Sequence, residues 1–256
     1  MKIYLISLSK DVKRRLSLQK TFPNYFKKMC QIDAIDGRLL NAKDFFSKIT
    51  GSYLHHNRLL SPSELGCSLS HIKVLQEFIE SGEKYALILE DDILGTDKHL
   101  KHIESLLPYI PDNSLLLCGG QDKPSLRNYL YGKEITKNLF KLAPFSHFYI
   151  VRACCYVVTH TSASAILSSH KKNILLADSW YQLLKDTNIE IFLADILSHP
   201  DNDLDSNLHI ERTILTKDRR SFRQKWLSTG TLKSIANRYN LYFNIFVAII
   251  QGYKKV

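Results

Sequence analysis

A buried strand that ends in three consecutive acids places the strongest limit on the fold of this chain. Tyr85–Leu89 is a continuous apolar run, and Glu90-Asp91-Asp92 follows it without a break. Ser61-Pro62-Ser63-Glu64 predicts a capping box that opens a helix, and Gly82 predicts the end of that helix. A strand that is apolar at every position must be covered on both faces, so this helix–strand unit predicts an α/β protein.

Other apolar runs alternate with helical segments along the chain. Strands are predicted at Lys2–Leu8, Ile32–Ile35, Ser114–Cys118, Tyr149–Val158 and Ile189–Ala194, and helices at Asp11–Phe22 and Ser162–Ser169. This order predicts a mostly parallel central sheet with helices on both faces. Ligands of such sheets bind at the carboxyl ends of the strands, so residues 90–92 and Gly119-Gly120 mark the expected site.

The positive charge is concentrated near the carboxyl terminus. The net charge is +10, and Lys217–Val256 carries nine Lys or Arg residues against one Asp. Aromatic residues lie between these charges: Phe222, Trp226, Tyr239, Tyr242, Phe243 and Phe246. We therefore predict a main domain at residues 1–215 and a basic, aromatic helical extension at residues 216–256. Anionic lipid and nucleic acid both suit such a surface; the alternative is a helical pair packed on the domain with its charges in solvent.

The cysteines and the apolar runs indicate a cytoplasmic protein. The chain has five cysteines, at positions 30, 67, 118, 154 and 155, an odd number without a Cys-x-x-Cys pair. These features are typical of free thiols in a reducing compartment. Basic residues follow the short apolar amino terminus and no cleavage site is apparent, so no secretory signal is expected. Leu241–Ile250 is the longest candidate span, about half of the ~20 residues that a bilayer requires.

Glu90-Asp91-Asp92 favours a divalent cation. Three carboxylates at a buried strand end repel one another and resist desolvation, and a bound cation relieves both effects. Glu90 and Asp92 share one side of an extended chain, which predicts a site for Mg²⁺ or Mn²⁺ between them. The alternative is that the acids cap a turn or pair with surface lysines.

Five segments in this order and spacing resemble glycosyltransferase family 25, the lipopolysaccharide and lipooligosaccharide glycosyltransferases. They are Tyr4-Leu5-Ile6-Ser7-Leu8 with Asp11, Arg14 and Arg15; Ala34-Ile35-Asp36-Gly37-Arg38; Leu60 through His71; Ala86 through Asp92; and Cys155-Tyr156 through Asp178-x-Trp180. The resemblance extends from residue 3 to about residue 212.

This resemblance implies a Rossmann-type nucleotide-binding domain of the GT-A class. It implies transfer of galactose or glucose from a UDP-sugar to a lipooligosaccharide or lipopolysaccharide acceptor, with inversion at the anomeric carbon and with Mn²⁺ or Mg²⁺. The protein would then work peripherally on the inner face of the cytoplasmic membrane, and the basic extension would dock on the anionic membrane surface.

Roles for individual residues follow partly from the local sequence and partly from this resemblance. Asp178 is the candidate catalytic base, although an isolated Asp-x-Trp also suits a helix start with Asp178 as the N-cap. Glu90 and Asp92 are the candidate metal ligands; His199 and His209 are considered as a further ligand and not chosen. The candidate donor-binding residues are Arg14, Arg15, Asp36, Ser70, His71, Asp91, Gly119, Gly120, Tyr156 and Trp180, with Trp180 as a sugar-stacking surface.

Two other classes of function are compatible with parts of the sequence. Acid pairs at strand ends also serve metal-dependent nucleotidyltransferases and hydrolases. The net charge alone would suit a nucleic-acid-binding protein, but the basic residues form no recognised reader, so no nucleic-acid partner is expected. The sequence does not define an oligomeric state.

Overall fold

The computed structural model describes residues 1–56, 58–121, 124–200, 211 and 231–256. Its strands are β1 (Lys2–Ser7), β2 (Met29–Asp33), β3 (Tyr85–Glu90), β4 (Ser114–Gly119), β5 (Tyr131–Thr136), β6 (Leu139–Leu142), β7 (Cys155–Thr159), β8 (Glu190–Leu197) and β9 (Lys254–Lys255). Its α-helices are α1 (Val12–Thr21), α2 (Ala42–His56), α3 (Pro62–Ser81), α4 (Asp97–Leu106), α5 (Pro124–Arg127), α6 (His160–Lys172), α7 (Trp180–Leu184) and α8 (Thr231–Ile250).

The strands form one mixed sheet in the order β2-β1-β3-β7-β4-β8-β6-β5-β9. The first six strands in this order are β2, β1, β3, β7, β4 and β8. Five of them run in the same direction, and β7 runs against them. The carboxyl ends of β1, β3 and β4 therefore meet at one edge, together with the amino-terminal end of β7. The predicted α/β class is confirmed. The sheet is mixed: β2, β1 and β3 pair in parallel, as do β4 and β8, whereas β7, β6, β5 and β9 pair antiparallel to their neighbours.

Two apolar layers cover the sheet, and the alternation of β1 shows how they divide. Tyr4 and Ile6 face the layer that contains α3, α6 and α7, whereas Ile3 and Leu5 face the layer that contains α1 and α4. Alternate residues of a strand point to opposite faces, so a fully apolar strand such as β3 contributes to both layers. The site at the strand ends is thus placed between two closely packed helical layers.

Helix α3 begins as the sequence predicts and lies very close to the loop after β2. The Ser61 side chain accepts a hydrogen bond from the Glu64 N–H, and Glu64 accepts one from the Ser61 N–H. Gly82 ends the helix at a φ of 69°. A Cβ on Gly66 would lie 2.4 Å from the carbonyl oxygen of Ile35. Glycine at position 66 therefore lets the first turns of α3 approach the loop after β2.

Several predicted boundaries differ from the observed ones. The predicted strand Tyr149–Val158 is wrong over its first half, because 144–149 forms a 3-10 helix and the strand β7 begins at Cys155. The predicted strand Ile32–Ile35 is observed earlier, as Met29–Asp33. Helices α2 and α4 and the β5–β6 hairpin were not predicted. Apolar content alone does not show where a chain reverses its direction. The position of β7 depends on such a reversal, so it was predicted with the wrong start.

The carboxyl-terminal segment is described from residue 231 onward. Helix α8 leads to β9, which pairs with β5 through Tyr131 and Lys255 at the sheet edge. The basic residues at 217–225 and the aromatic residues Phe222 and Trp226 lie outside the described residues, as does His209. The division at residue 215 stays a prediction. In the part of the chain that the structure describes, no helix combines the length and apolarity needed to cross a bilayer.

Candidate functional site

A cleft opens at the carboxyl ends of β1 and β3. Its volume is about 800 Å³, part of which is open to solvent. Seven of the predicted site residues line it: Arg14, Asp36, Ser70, His71, Glu90, Asp91 and Asp92. The edge of the sheet at which the site was expected, at the acidic end of β3, therefore forms a cleft. This cleft is bounded by α1, the loop after β2 and the first half of α3.

Asp91 is held by the first strand and the first helix. Ser7 donates a hydrogen bond of 2.6 Å to Oδ2, and Arg14 donates one of 3.0 Å to Oδ1. Burial raises the pKa of Asp91, and the bonds from Ser7 and Arg14 oppose that shift without cancelling it. Arg14 remains half-exposed at the cleft, so its guanidinium is available to an anionic ligand while it is anchored to Asp91.

Asp92 forms an ion pair with a histidine from the end of β8. His199 Nε2 lies 3.3 Å from Asp92 Oδ2, and Arg14 lies 3.6 Å from the same oxygen. Burial alone would raise the pKa of Asp92, but His199 and Arg14 outweigh it and lower that pKa. The bond to Asp92 raises the pKa of His199 to about 9. The other oxygen, Oδ1, is buried without a hydrogen-bond partner among the described residues.

Glu90 contacts the helical layer that contains α3, whereas Asp91 and Asp92 contact Arg14 of α1. Its Oε1 lies 3.1 Å from Nε2 of His71, and Nδ1 of that histidine lies 2.8 Å from the hydroxyl of Tyr156. His71 and Tyr156 are almost fully buried, and burial raises the pKa of Tyr156 well above its ordinary value. Tyr156 therefore reaches the site through His71 rather than as a wall of the cleft.

Asp36, Ser70 and Arg15 shape the loops around the cleft. Asp36 accepts bonds from Arg38 and Lys10, and these, chiefly the bond from Arg38, hold its pKa below the ordinary value. Ser70 accepts a bond from the Ile35 N–H and donates one to the Gly66 carbonyl. Arg15 donates to Ser7 and to the carbonyls of residues 8 and 9, which braces the turn after β1.

The two glycines at the end of β4 make room for neighbouring chain segments. A Cβ on Gly119 would lie 1.8 Å from the carbonyl oxygen of Leu197, so glycine allows β8 to cross there. Gly120 has a φ of 75° and lies close to Cys154 and Arg152. Neither glycine lines the cleft at β3.

Asp178 and Trp180 hold the backbone of Arg152. Asp178 Oδ2 accepts a 3.2 Å hydrogen bond from the Arg152 N–H, and the Trp180 indole donates one of 2.9 Å to the Arg152 carbonyl. Arg152 has a φ of 61°, which is uncommon for a residue with a side chain. Trp180 is only 1% exposed and offers no ring face to a sugar in this structure, and the N-cap of α7 is Ser179 rather than Asp178.

Sequence reasoning missed several residues at the cleft. His199 was considered and not chosen; it is brought to Asp92 by the pairing of β8 with β4 and by the backbone bonds that Ser198 exchanges with Leu94. Cys67 and Ser63 line the cleft from α3, and Ser63 also donates two hydrogen bonds to Glu211. The helical period could have identified Cys67, because it lies one turn before His71 on the same face.

The family model described as "Glycosyltransferase family 25 (LPS biosynthesis protein)" matches residues 1–181. This match covers well over half of the chain and includes β1, the capped helix α3 and the acidic end of β3. The chain belongs to glycosyltransferase family 25. The family predicted from the five sequence segments is thereby confirmed.

Curated members of family 25 are similar to this chain over less than half of its length. "Procollagen galactosyltransferase 1" of Danio rerio is 27% identical over 118 residues, which is 44% of this chain and 20% of that protein. "Probable inactive glycosyltransferase 25 family member 3" of Rattus norvegicus is 28% identical over 110 residues, 41% of this chain and 19% of that protein. The chain thus spans about a fifth of the length of these relatives, whose printed names are those of a galactosyltransferase and of a probable inactive family member.

A solved structure with a related outline is the mannose-1-phosphate geranyltransferase of Thermus thermophilus. It is 10% identical, covers 76% of this chain and 75% of its own, and has a TM-score of 0.39. A TM-score this low supports no inference about function.

Proposed function

We propose that this member of family 25 transfers galactose or glucose from a UDP-sugar to a lipooligosaccharide or lipopolysaccharide acceptor, with inversion and with a divalent cation. The observation that carries the proposal is the cleft at the end of β3, where Asp91, Asp92 and Arg14 meet inside the segment that matches the family. A nucleoside diphosphate carries negative charge that a divalent cation and a guanidinium group can neutralise. The cleft offers carboxylate ligands for the cation, and Arg14 supplies the guanidinium group.

The donor set at Asp92 fits a hard divalent cation. Its Oδ1 is a buried carboxylate oxygen without a partner among the described residues, which is costly unless a ligand completes it. Glu90, also on the cleft, adds a second carboxylate, and Mn²⁺ or Mg²⁺ prefers such oxygen ligands. When bound, this cation would neutralise the diphosphate of the donor. His199, whose Nε2 lies 3.3 Å from Asp92 Oδ2, would be a candidate for a further ligand.

The chain's own residues provide binding and orientation. Arg14 is half-exposed and fixed by Asp91, so it presents a positioned positive charge to the leaving diphosphate. Asp36 and Ser70 hold the loop that forms the opposite wall. Pre-positioned charges of this kind stabilise the transition state without reorganisation during the reaction.

The decisive test is UDP release from a panel of UDP-sugars, with and without Mn²⁺, for the wild type and for Asp92→Asn. We expect release that requires the metal and falls by about 100-fold or more in the variant, because one pre-positioned electrostatic contact contributes that much. The matched control is Asp112→Asn, which changes an exposed carboxylate far from the cleft and should leave turnover within a factor of two.

Three results would overturn parts of this assignment. If a folded sample neither binds nor turns over any UDP-sugar, the donor assignment is wrong. If no UDP is released from UDP-sugars but pyrophosphate is released from UTP and a hexose 1-phosphate, the protein is a nucleotidyltransferase. If Asp92→Asn retains full metal-dependent turnover, the cation lies elsewhere.

Asp178 remains the proposed base, and its structural contact gives a clean way to test it. An Asn at position 178 can still accept the Arg152 N–H, but it cannot remove a proton from an acceptor hydroxyl. If Asp178 is the base, Asp178→Asn should lower the transfer rate by about 100-fold or more while donor affinity is kept. If Asp178 only holds Arg152, Asp178→Asn should retain transfer and Asp178→Ala should lose it.

We also propose that the protein docks peripherally on an anionic membrane at the cytoplasmic face. Tyr239, Tyr242, Phe243, Phe246, Ile249 and Ile250 are exposed in α8. Their spacing of three and four residues places them on one stripe of the helix. The segment from Lys217 onward adds a large positive charge in sequence, and a helix that combines both features suits the interface of an anionic bilayer.

Sedimentation with lipid vesicles tests this docking. The full chain should bind vesicles that contain phosphatidylglycerol and should bind far less to neutral vesicles of the same size. Phe243→Ser combined with Phe246→Ser should weaken binding by about tenfold or more, since each buried aromatic side chain contributes roughly 1.5–3 kcal/mol. Equal binding of the wild type and this double variant would contradict the role of α8.

A further inference from the structure

Cys67, His71 and Glu90 converge at the wall of the cleft. The thiol sulfur, an imidazole nitrogen and a carboxylate oxygen all lie within 4.8 Å of one another. Cys67 and His71 are four residues apart on α3 and therefore lie on one face of the helix, and Glu90 reaches them from the end of β3. Two rigid elements thus set the positions of all three groups.

The surroundings of His71 suit a metal ligand. Its Nε2 faces Glu90, and its Nδ1 lies 2.8 Å from the Tyr156 hydroxyl. The two rings also stack, with centroids 5.7 Å apart. A histidine that binds a metal through one nitrogen usually donates the other N–H to an oxygen, which fixes the ring and its tautomer. Tyr156 supplies that oxygen and is itself 1% exposed.

The geometry points to a zinc site at Cys67, His71 and Glu90, separate in chemistry from the proposed Mn²⁺ or Mg²⁺ site at Asp92. A thiolate beside an imidazole favours Zn²⁺ over the harder cations. Three protein ligands leave a fourth tetrahedral position, and all three residues line the cleft, so water or a ligand reaches that position.

Zinc bound here would inhibit sugar transfer, a consequence that rests on the proposed function. Glu90 is shared by the two sites, so Zn²⁺ at Cys67 and His71 draws it away from a cation at Asp92. The ion would also occupy the wall along which the donor must lie. Zinc would then act at low concentration against a background of the activating metal.

Metal binding is measured first, without substrate and on the full chain free of any histidine tag. We expect wild-type protein to bind one equivalent of Zn²⁺ in competition with a chromophoric chelator. With Co²⁺ in place of Zn²⁺, a thiolate-to-cobalt charge-transfer band should appear. Cys67→Ser should weaken zinc binding by more than about 100-fold and abolish the band, because losing a direct ligand costs more than losing an outer contact.

Cys30→Ser is the matched control, since Cys30, like Cys67, is partly exposed and outside any disulfide, but it lies on β2 and is not among the residues that line the cleft. It should bind zinc as the wild type does. Glu90→Gln should weaken binding without removing the cobalt band. Wild-type protein that binds no zinc, or Cys67→Ser protein that binds it equally well, overturns the site.

The inhibition arm separates this site from the proposed function. Micromolar Zn²⁺ should reduce UDP release by the wild type, and the fractional reduction should be much smaller in Cys67→Ser, each measured against its own rate without zinc. If zinc binds as described and no UDP-sugar is turned over, the zinc site stands and the proposed function fails. If turnover is normal and zinc neither binds nor inhibits, the zinc site fails alone.

Discussion

At the end of β3, Asp91 is buried and Asp92 is partly buried, and each is paired with a basic side chain, whereas along α8 six large apolar side chains face solvent. The first region is polar where a protein interior is usually apolar, and the second is apolar where a surface is usually polar. Both arrangements cost free energy in the isolated protein, since buried charge must be compensated and exposed apolar area must be hydrated. The difference is that we expect the free energy of unfolding to depend on the contacts of the first region and not on the side chains of the second.

The largest expected effect on stability comes from His199. Its pKa is about 9 in the folded protein and about 6.5 when unfolded, so the folded state binds the extra proton between these values. The Asp92–His199 pair therefore stabilises fully below pH 6.5, loses its contribution as pH rises to 9, and contributes nothing above that. A shift of this size corresponds to about 3 kcal/mol. Denaturant unfolding at pH 6 and pH 9.5, in the presence of a chelator, should show this loss in the wild type and not in His199→Gln.

His102→Gln is the control for that measurement, because His102 is exposed on α4. It should keep the wild-type dependence on pH. If His199→Gln keeps it as well, the ion pair is not what stabilises this end of β3, and the contrast with α8 loses its electrostatic basis.

A smaller effect is expected from the glycine that brings α3 to the site. A Cβ on Gly66 would lie 2.4 Å from the Ile35 carbonyl and 2.5 Å from the Gly37 nitrogen, both backbone atoms. Gly66→Ala should lower the free energy of unfolding by about 2 kcal/mol, as is usual for overpacking. In helix α2, a Cβ on Gly51 would contact only the Asn173 side chain. Gly51→Ala should therefore change the free energy of unfolding by less than about 1 kcal/mol. Equal costs would show that α3 can move away from the loop.

The smallest effect is expected in α8. Phe243 and Phe246 are 55% and 61% exposed, so replacing both by Ser removes little buried area. The free energy of unfolding should change by less than about 0.5 kcal/mol, measured by the same denaturant unfolding. A loss of several kcal/mol would mean that these rings are covered in the free protein and are not available to a membrane.

Much of the fold was predictable because its signals are local. The capping box at Ser61, the αL glycine at 82 and the apolar run before Glu90 each report on a few neighbouring residues, and each is observed. The direction of β7 was not predictable in this way, because it depends on pairing between distant segments. Five of the cleft-lining site residues, Arg14, Asp36, Ser70, His71 and Asp91, came from the resemblance to the family rather than from spacing.

The acidic triplet shows where reasoning by period stops. Alternation predicts that Glu90 and Asp92 point to the same side, but β3 ends at Glu90 and the next two residues form a turn. Glu90 therefore reaches His71 in one helical layer, and Asp92 reaches Arg14 and His199. The strand rule identifies both carboxylates at the cleft, whereas the hydrogen-bond partners of each carboxylate depend on the turn and on distant segments and were not predicted.

The two backbone hydrogen bonds to Arg152 have a consequence for substitutions at that position. Asp178 and Trp180 bond the N–H and the carbonyl of residue 152, atoms that every residue except proline supplies, and they do not depend on its side chain. These two bonds would survive a change of side chain at position 152, whereas the 3.4 Å bond from Arg152 Nη1 to the Gly120 carbonyl would be lost. Libraries that vary residue 152 alone, with glycine and asparagine as the least strained choices, would therefore change the electrostatic character beside β4 while the bonds from Asp178 and Trp180 remain.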